Sequence, residues 1–86
     1  MVKNSLTVKN KTGLHARPAS QLAQLAQKFE STVRITDGTT EIDSKSVISI
    51  MSGGFKQGTA IELIVEGSDE EQAAAQLSEF INALTE

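Results

Sequence analysis

The sequence predicts an α+β fold, an open-faced sandwich in which a four-stranded antiparallel sheet carries three helices on one face. Three observations point there. Strand-like segments alternate apolar and polar residues with period two, so each buries one face only. Two longer stretches, opening near Ala16 and after Ser68, repeat apolar residues at helical spacing. Glycines, Asp-Gly and Gly-Gly punctuate these segments at short intervals and give the order β-α-β-β-α-β-α.

Each element has its own signal. Val2 to Lys9 puts Val2, Leu6 and Val8 on one face and Lys3, Ser5, Thr7 and Lys9 on the other, and Lys11-Thr12-Gly13 ends this strand. From Ala16 to Lys28 the residues Ala19, Leu22, Ala23, Leu25 and Ala26, followed by Phe29, keep helical spacing. Pro18 fits only the first turn of that helix, where its missing N–H is no loss. Thr32 to Thr36 turns Val33 and Ile35 inward; Asp37-Gly38 signals a hairpin into the short strand Glu41-Ile42-Asp43. Ser46 is the N-cap of a short helix reaching Ser52, which Gly53-Gly54 stops. Its Val and Ile residues are weak helix formers, so it must be held by packing. Thr59 to Glu66 turns Ile61, Leu63 and Val65 inward. Ser68-Asp69-Glu70-Glu71 reads as a capping box, Ser68 at the N-cap and Glu71 at N3, opening a helix with Ala73, Leu77, Phe80, Ile81 and Leu84 on one face. Pattern alone leaves the strand order open.

Composition narrows the function. A chain of 86 residues is expected to form one domain, residues 1–86, with a modest core. A 38% hydrophobic content argues against disorder. The absence of cysteine excludes disulfides, thiolate metal sites and thiol catalysis. Asp37, Glu41 and Asp43 straddle a hairpin and read as solvated acids rather than a metal site. A net charge of -3 is a poor match to direct nucleic-acid binding, which relies on many Lys and Arg contacts to phosphate. No stretch has the apolar length of a signal-peptide core or a membrane span, so a cytoplasmic protein with no membrane insertion is expected.

Chemistry concentrates in Thr12-Gly13-Leu14-His15-Ala16-Arg17-Pro18-Ala19. A strand ends, a glycine permits a tight turn, and a helix begins near Ala16. His15, the only histidine, thus stands at the helix N-terminus, where outward-pointing backbone N–H groups favour phosphate. Pro18 offers no N–H, so the donors fall to Ala16 and Arg17. An imidazole ring nitrogen carries a lone pair able to attack phosphorus. Arg17 brings a planar guanidinium fork to phosphoryl oxygens. Such chemistry rests on positioning and charge stabilisation, and no resident metal or cofactor is expected. Lys9, Lys11, Lys45 and Lys56 are further sources of local positive potential.

Gly13-Leu14-His15-Ala16-Arg17-Pro18-Ala19 resembles, residue for residue, the active-site signature of the HPr family, the phosphocarriers of the bacterial phosphoenolpyruvate-dependent sugar phosphotransferase system. Lys45-Ser46-Val47-Ile48-Ser49-Ile50-Met51-Ser52 is similar to the family's regulatory segment and lies at the expected distance. Length and element order agree over the whole chain. The resemblance implies that enzyme I, phosphorylated from phosphoenolpyruvate, passes the group to His15 at Nδ1. From there it moves to the enzyme IIA domains of sugar permeases, with Arg17 assisting. A carrier of this kind is not an enzyme in the strict sense, because its partners' active sites share the chemistry.

The same resemblance maps Ser46 onto the serine modified by HPr kinase/phosphorylase in Gram-positive-type members. Modification there slows transfer from enzyme I and favours a catabolite-control transcription regulator. A phosphate at a helix N-terminus is compatible with the helix, and its charge beside the docking surface repels a phosphorylated partner. Ser20, Gln24, Val47, Ile48 and Met51 are the implied partner-docking residues, Met suiting a surface that meets several partners. Two positions depart from the family pattern: Ser49 stands where glycine is common, and Gly53 where leucine is common. A monomer is expected. The alternatives are a regulatory paralogue of the Crh type, which carries glutamine where His15 stands, a nitrogen-branch carrier without the Ser46 regulation, and a non-catalytic α+β interaction module.

Overall fold

The computed structural model describes residues 1–85. The chain runs β1 (Val2–Thr7), α1 (Ala16–Ala26), β2 (Thr32–Thr36), β3 (Glu41–Asp43), α2 (Val47–Ser52), β4 (Ala60–Glu66) and α3 (Glu70–Asn82). The four strands form one antiparallel sheet in the order β1-β4-β2-β3. The last strand in sequence is thus an inner strand in space. It pairs with β1 from Val2↔Val65 to Thr7↔Ala60 and with β2 from Thr32↔Glu66 to Thr36↔Glu62. The inward residues Ile61, Leu63 and Val65 meet Val33 and Ile35 beside them and Leu22, Ala26, Leu77 and Ile81 above them in one continuous core. The predicted α+β open-faced sandwich is the observed architecture, with all three helices on the apolar face.

On the open face, Ile64 is the exception. It is buried although it points away from the helices. Its cross-strand neighbours are Lys3 and Arg34, whose aliphatic stems shield it while their charges stay in water.

Element boundaries shifted where tertiary partners outcompeted local signals. Strand geometry ends at Thr7, not Lys9, yet Val8 still bonds across: its N–H donates to the Thr59 carbonyl (2.9 Å), and its carbonyl accepts from Gly58 N–H (2.7 Å). Helix α1 ends at Ala26, not Lys28, and tightens into i→i+3 bonds from Lys28 to Leu25 and from Phe29 to Ala26 as Phe29 turns into the core. The hairpin loop spans the four residues 37–40, between the strand bounds that the sequence predicts. The Asp37 carboxylate accepts from Thr40 and Thr39 N–H (2.8 and 3.0 Å), which lowers its pKa from the usual aspartate value.

The capping box before α3 is the clearest correction. Asp69, not Ser68, is the N-cap, and its side chain does not cap the helix at all. Its carboxylate instead accepts from Glu30 N–H (2.9 Å), Ser31 N–H (3.0 Å) and the Ser31 hydroxyl, on the turn between α1 and β2. Those three donors hold the Asp69 carboxyl below its usual value, the Ser31 hydroxyl most of all. The glutamate that reaches back is Glu70, to Gly67 N–H (3.0 Å), while Ser68 donates to Glu30 (3.2 Å). Asp69 thus staples the start of α3 to the end of α1, a partner 38 residues away that local pattern does not reveal.

Candidate functional site

His15 is the N-cap of α1, in extended conformation (φ -137°, ψ 159°), and is exposed. Its imidazole makes no capping hydrogen bond, so the helix start does not consume it. The loop before it is clamped. Leu14 is 1% exposed and plugs into the core, and its N–H donates to the Phe55 carbonyl (2.9 Å). The buried Asn10 folds back from the end of β1: its Nδ2 donates to the Gly13 carbonyl (2.8 Å), and its own carbonyl accepts from Gly13 N–H (3.2 Å). Gly13 lies at φ +67° against this wall, and a Cβ there would sit 2.4 Å from the Phe55 carbonyl oxygen. The buried leucine and the exposed histidine thus stand on adjacent residues of a clamped loop.

The chain then turns sharply into the helix. Ala16 has φ +48°, and it is the one non-glycine residue with positive φ among the described residues. That conformation costs an L-residue about 1–2 kcal/mol. The first N–H groups of a helix point away from its body. Here they belong to Ala16 and Arg17, since Pro18, buried in the first turn, carries none. The Arg17 side chain is exposed on the same turn. Imidazole, backbone donors and guanidinium thus belong to three consecutive exposed residues, 15 to 17, at the helix start.

A depression of about 160 Å³ adjoins His15, lined also by Thr12, Leu14, Met51, Gly54, Phe55 and Lys56. Of the expected docking residues, the structure brings Met51 directly to this rim. Val47 and Met51 are half-buried against the core, Ile50 is fully buried, and Ile48 is 82% exposed. Ser20 and Gln24 share a face of α1 with Gln27, whose Nε2 donates to the Lys45 carbonyl (2.8 Å) just before α2. They therefore flank α2 on the α1 side.

Ser46 caps α2 as expected, its hydroxyl accepting from Ser49 N–H (3.2 Å). It stands at the helix end opposite Met51, about 7.5 Å further along the axis. Both departures from the family pattern acquire structural partners. The Ser49 hydroxyl accepts from Asp43 N–H (2.9 Å) and ties α2 to the end of β3. At Gly53 a Cβ would lie 3.0 Å from both Phe55 Cε2 and Ile42 Cγ2, so the Phe55 ring occupies the space a side chain there would need.

The lysines do not act as one group. Lys45 Nζ donates to the Phe29 carbonyl beyond the end of α1 (2.8 Å), Lys9 lines a separate hollow with Thr36, Asp37 and Glu62, and of these lysines only Lys56 lines the depression beside His15. The hairpin acids do not converge either. Glu41 pairs with Arg34, Asp43 accepts from Lys45 N–H, and no group of three metal-ligating side chains occurs among the described residues. Asn10 and Phe55 escape a reading by periodicity. The signal for Asn10 was its type and place, an Asn immediately before a Lys-Thr-Gly turn. Phe55, isolated between glycines, offered none.

The chain matches the family model described as the PTS HPr component phosphorylation site over residues 2–83. It is 38% identical over 82 residues to phosphocarrier protein HPr of Neisseria meningitidis serogroup A, covering 95% of this chain and 92% of that protein. It is 41% identical over 81 residues to the HPr-like protein Crh of Halalkalibacterium halodurans, covering 94% and 96%. Among solved structures, HPr from Thermoanaerobacter tengcongensis superposes with a TM-score of 0.92 at 41% identity, covering 96% of this chain and 93% of that one. An HPr dimer from the same organism superposes with a TM-score of 0.76 at 41% identity, covering 96% and 95%. No helix among the described residues is long and apolar enough to cross a membrane. An exposed histidine at a helix start, on a chain that matches the family model over residues 2–83 and shares its fold, leads to one conclusion: the chain belongs to the HPr family, the phosphocarriers of the sugar phosphotransferase system.

Proposed function

We propose that His15 is the carrier residue. It accepts a phosphoryl group at Nδ1 from phosphorylated enzyme I and yields it to enzyme IIA domains of sugar permeases. The observation that carries this reading is the exposed His15 at the N-cap of α1, unused for capping and next to the buried Leu14. In the step, the Nδ1 lone pair attacks phosphorus, an N–P bond forms, and the donor–P bond breaks with its electron pair staying on the donor. The ring keeps its proton on Nε2, so no proton need cross the interface. The added negative charge is met by the N–H groups of Ala16 and Arg17 and by the Arg17 guanidinium. The open helix start leaves room for donor and acceptor to approach in turn.

Docking falls to Ser20, Gln24, Val47, Ile48 and Met51, with Ile48 the most exposed apolar group on α2. A small patch of this kind suits brief, exchangeable contacts. Ser46 is the regulatory phosphorylation site for HPr kinase/phosphorylase. Its place at the N-terminus of α2 supports this, since a phosphate there leaves the helix intact while adding charge to the docking face. The modified form then serves the catabolite-control transcription regulator. The chain works as a single cytoplasmic HPr-like domain and as a monomer.

The test is a chase. Protein phosphorylated with phosphoenolpyruvate and enzyme I returns to its unmodified mass when an enzyme IIA domain is added, and the domain gains the same mass. Retention of the phosphate in the presence of active acceptor domains would remove the relay role. Arg17→Ala keeps the fold and slows transfer about tenfold or more, the scale of a lost charge-assisted contact to a transferring phosphoryl group. Ser46→Asp keeps the fold and binds enzyme I more weakly; equal affinity would show that charge at this position does not matter.

A further inference from the structure

Lys56 shares a depression with His15, and the active-site signature assigns it no role. We propose that Lys56 is a second phosphoryl-contacting cation, acting from the side of that depression. The inference rests on His15 being the carrier residue.

Three observations support it. First, the two residues line the same hollow of about 160 Å³, whereas Arg17 lies outside it on the first turn of α1. A phosphoryl group on the ring would then meet Arg17 and the helix N–H groups from the side of α1 and Lys56 from the side of the hollow. Second, the Lys56 backbone is fixed relative to the His15 loop. The preceding carbonyl, of Phe55, accepts from Leu14 N–H (2.9 Å). Lys56 itself is closed into a turn with Thr59: its N–H donates to the Thr59 hydroxyl (3.2 Å), and its carbonyl accepts from Thr59 N–H (3.0 Å). Gly13 packs against the Lys56 Cα so closely that a Cβ would come within 2.7 Å. Third, the ammonium is uncommitted among the described residues. Lys45 is spent on a helix-end carbonyl, but Lys56 is exposed and engages no acid.

The chemistry gives Lys56 a specific effect. Transfer moves a PO3⁻ unit onto the ring: the donor–P bond breaks, the N–P bond forms, and the site becomes more negative by one charge. A fixed cation beside it stabilises the phosphorylated form over the free form. It therefore shifts the equilibrium of transfer, a quantity that does not depend on how well the two proteins dock. A lysine that only contacted the partner would change the rate and leave the equilibrium unmoved.

The experiment measures the phosphorylated fraction at equilibrium with a fixed ratio of phosphorylated to free enzyme I, by mass spectrometry, for wild type, Lys56→Gln and Lys56→Arg. Lys56→Gln is expected to lower the equilibrium constant about threefold to tenfold, the scale of one exposed charge next to a phosphate. The loss should shrink as salt screens the site, and Lys56→Arg should restore the wild-type value. An unchanged equilibrium constant in Lys56→Gln, with or without a slower rate, overturns the proposal and leaves the His15 reading standing. Absence of phosphate on the wild-type protein overturns both.

Discussion

Gly13 and Gly54 form a matched pair that isolates how tightly the His15 loop is clamped. Their φ angles are nearly identical, +67° and +66°. Alanine at either pays the same left-handed penalty, about 1–2 kcal/mol, offset by the same unfolded-state gain of about 0.4–1 kcal/mol. Their surroundings differ completely. A Cβ at Gly54 meets nothing within 4 Å, whereas at Gly13 it falls 2.4 Å from the Phe55 carbonyl oxygen and 2.7 Å from Lys56 Cα. Both are backbone atoms and cannot swing aside as a side-chain tip would. Gly13→Ala must therefore push the 13–14 segment off the 55–56 segment, stretching the Leu14 to Phe55 hydrogen bond, at an added cost of about 1–3 kcal/mol, the scale of overpacking a tight site. Urea unfolding of both variants should show Gly13→Ala less stable than Gly54→Ala by that margin. Gly13→Ala should also accept phosphate more slowly, since the strain displaces the residue beside His15. Equal destabilisation of the two variants would refute the claim that close backbone contact holds the loop.

The remaining predictions concern stability. Ser44 is fully buried, its N–H donates to the Val33 carbonyl (2.9 Å), but its hydroxyl finds no partner among the described residues. Ser44→Ala should stabilise the fold by about 1 kcal/mol, because a buried hydroxyl without a protein partner is a net penalty; a lower unfolding midpoint would contradict that reading. Asp69 has its carboxyl depressed by Ser31 and Glu30 in the folded chain, so the unfolded state binds its proton more readily. Its contribution is complete above the ordinary aspartate value of 3.8 and is lost as pH falls through the depressed folded value. Asp69→Asn should flatten the decline of stability below about pH 4, and a slope equal to wild type would contradict the assignment.

Much of this fold was legible in the sequence because its strands bury one face. Val2, Leu6 and Val8, or Ile61, Leu63 and Val65, can be assigned to the core by alternation alone. Ser46 at the N-cap and Gly53-Gly54 after α2 were likewise readable, because a short side chain and flexible glycines act locally. What resisted was decided at a distance. Asp69 abandoned its own helix for Ser31, and nothing near position 69 announces that choice. The strand order β1-β4-β2-β3 follows from how the faces are covered in three dimensions. At the site, the motif around His15 was visible in the sequence, but its support was not. Asn10, Phe55 and Lys56 join it through contacts across loops, and periodicity carries no information about such contacts. Ala16 illustrates the same limit. An alanine ordinarily signals plain helix, and here it holds a left-handed turn beside the imidazole.

The most direct measurement is the mass of the protein after incubation with phosphoenolpyruvate and active enzyme I, in wild type and in His15→Ala. Wild type should gain one phosphate that is lost in acid and kept in alkali, as a phosphorus–nitrogen bond requires, and His15→Ala should gain none. A wild-type protein that stays unmodified, or a His15→Ala protein that still takes up the acid-labile group, would contradict the assignment of His15 as the carrier.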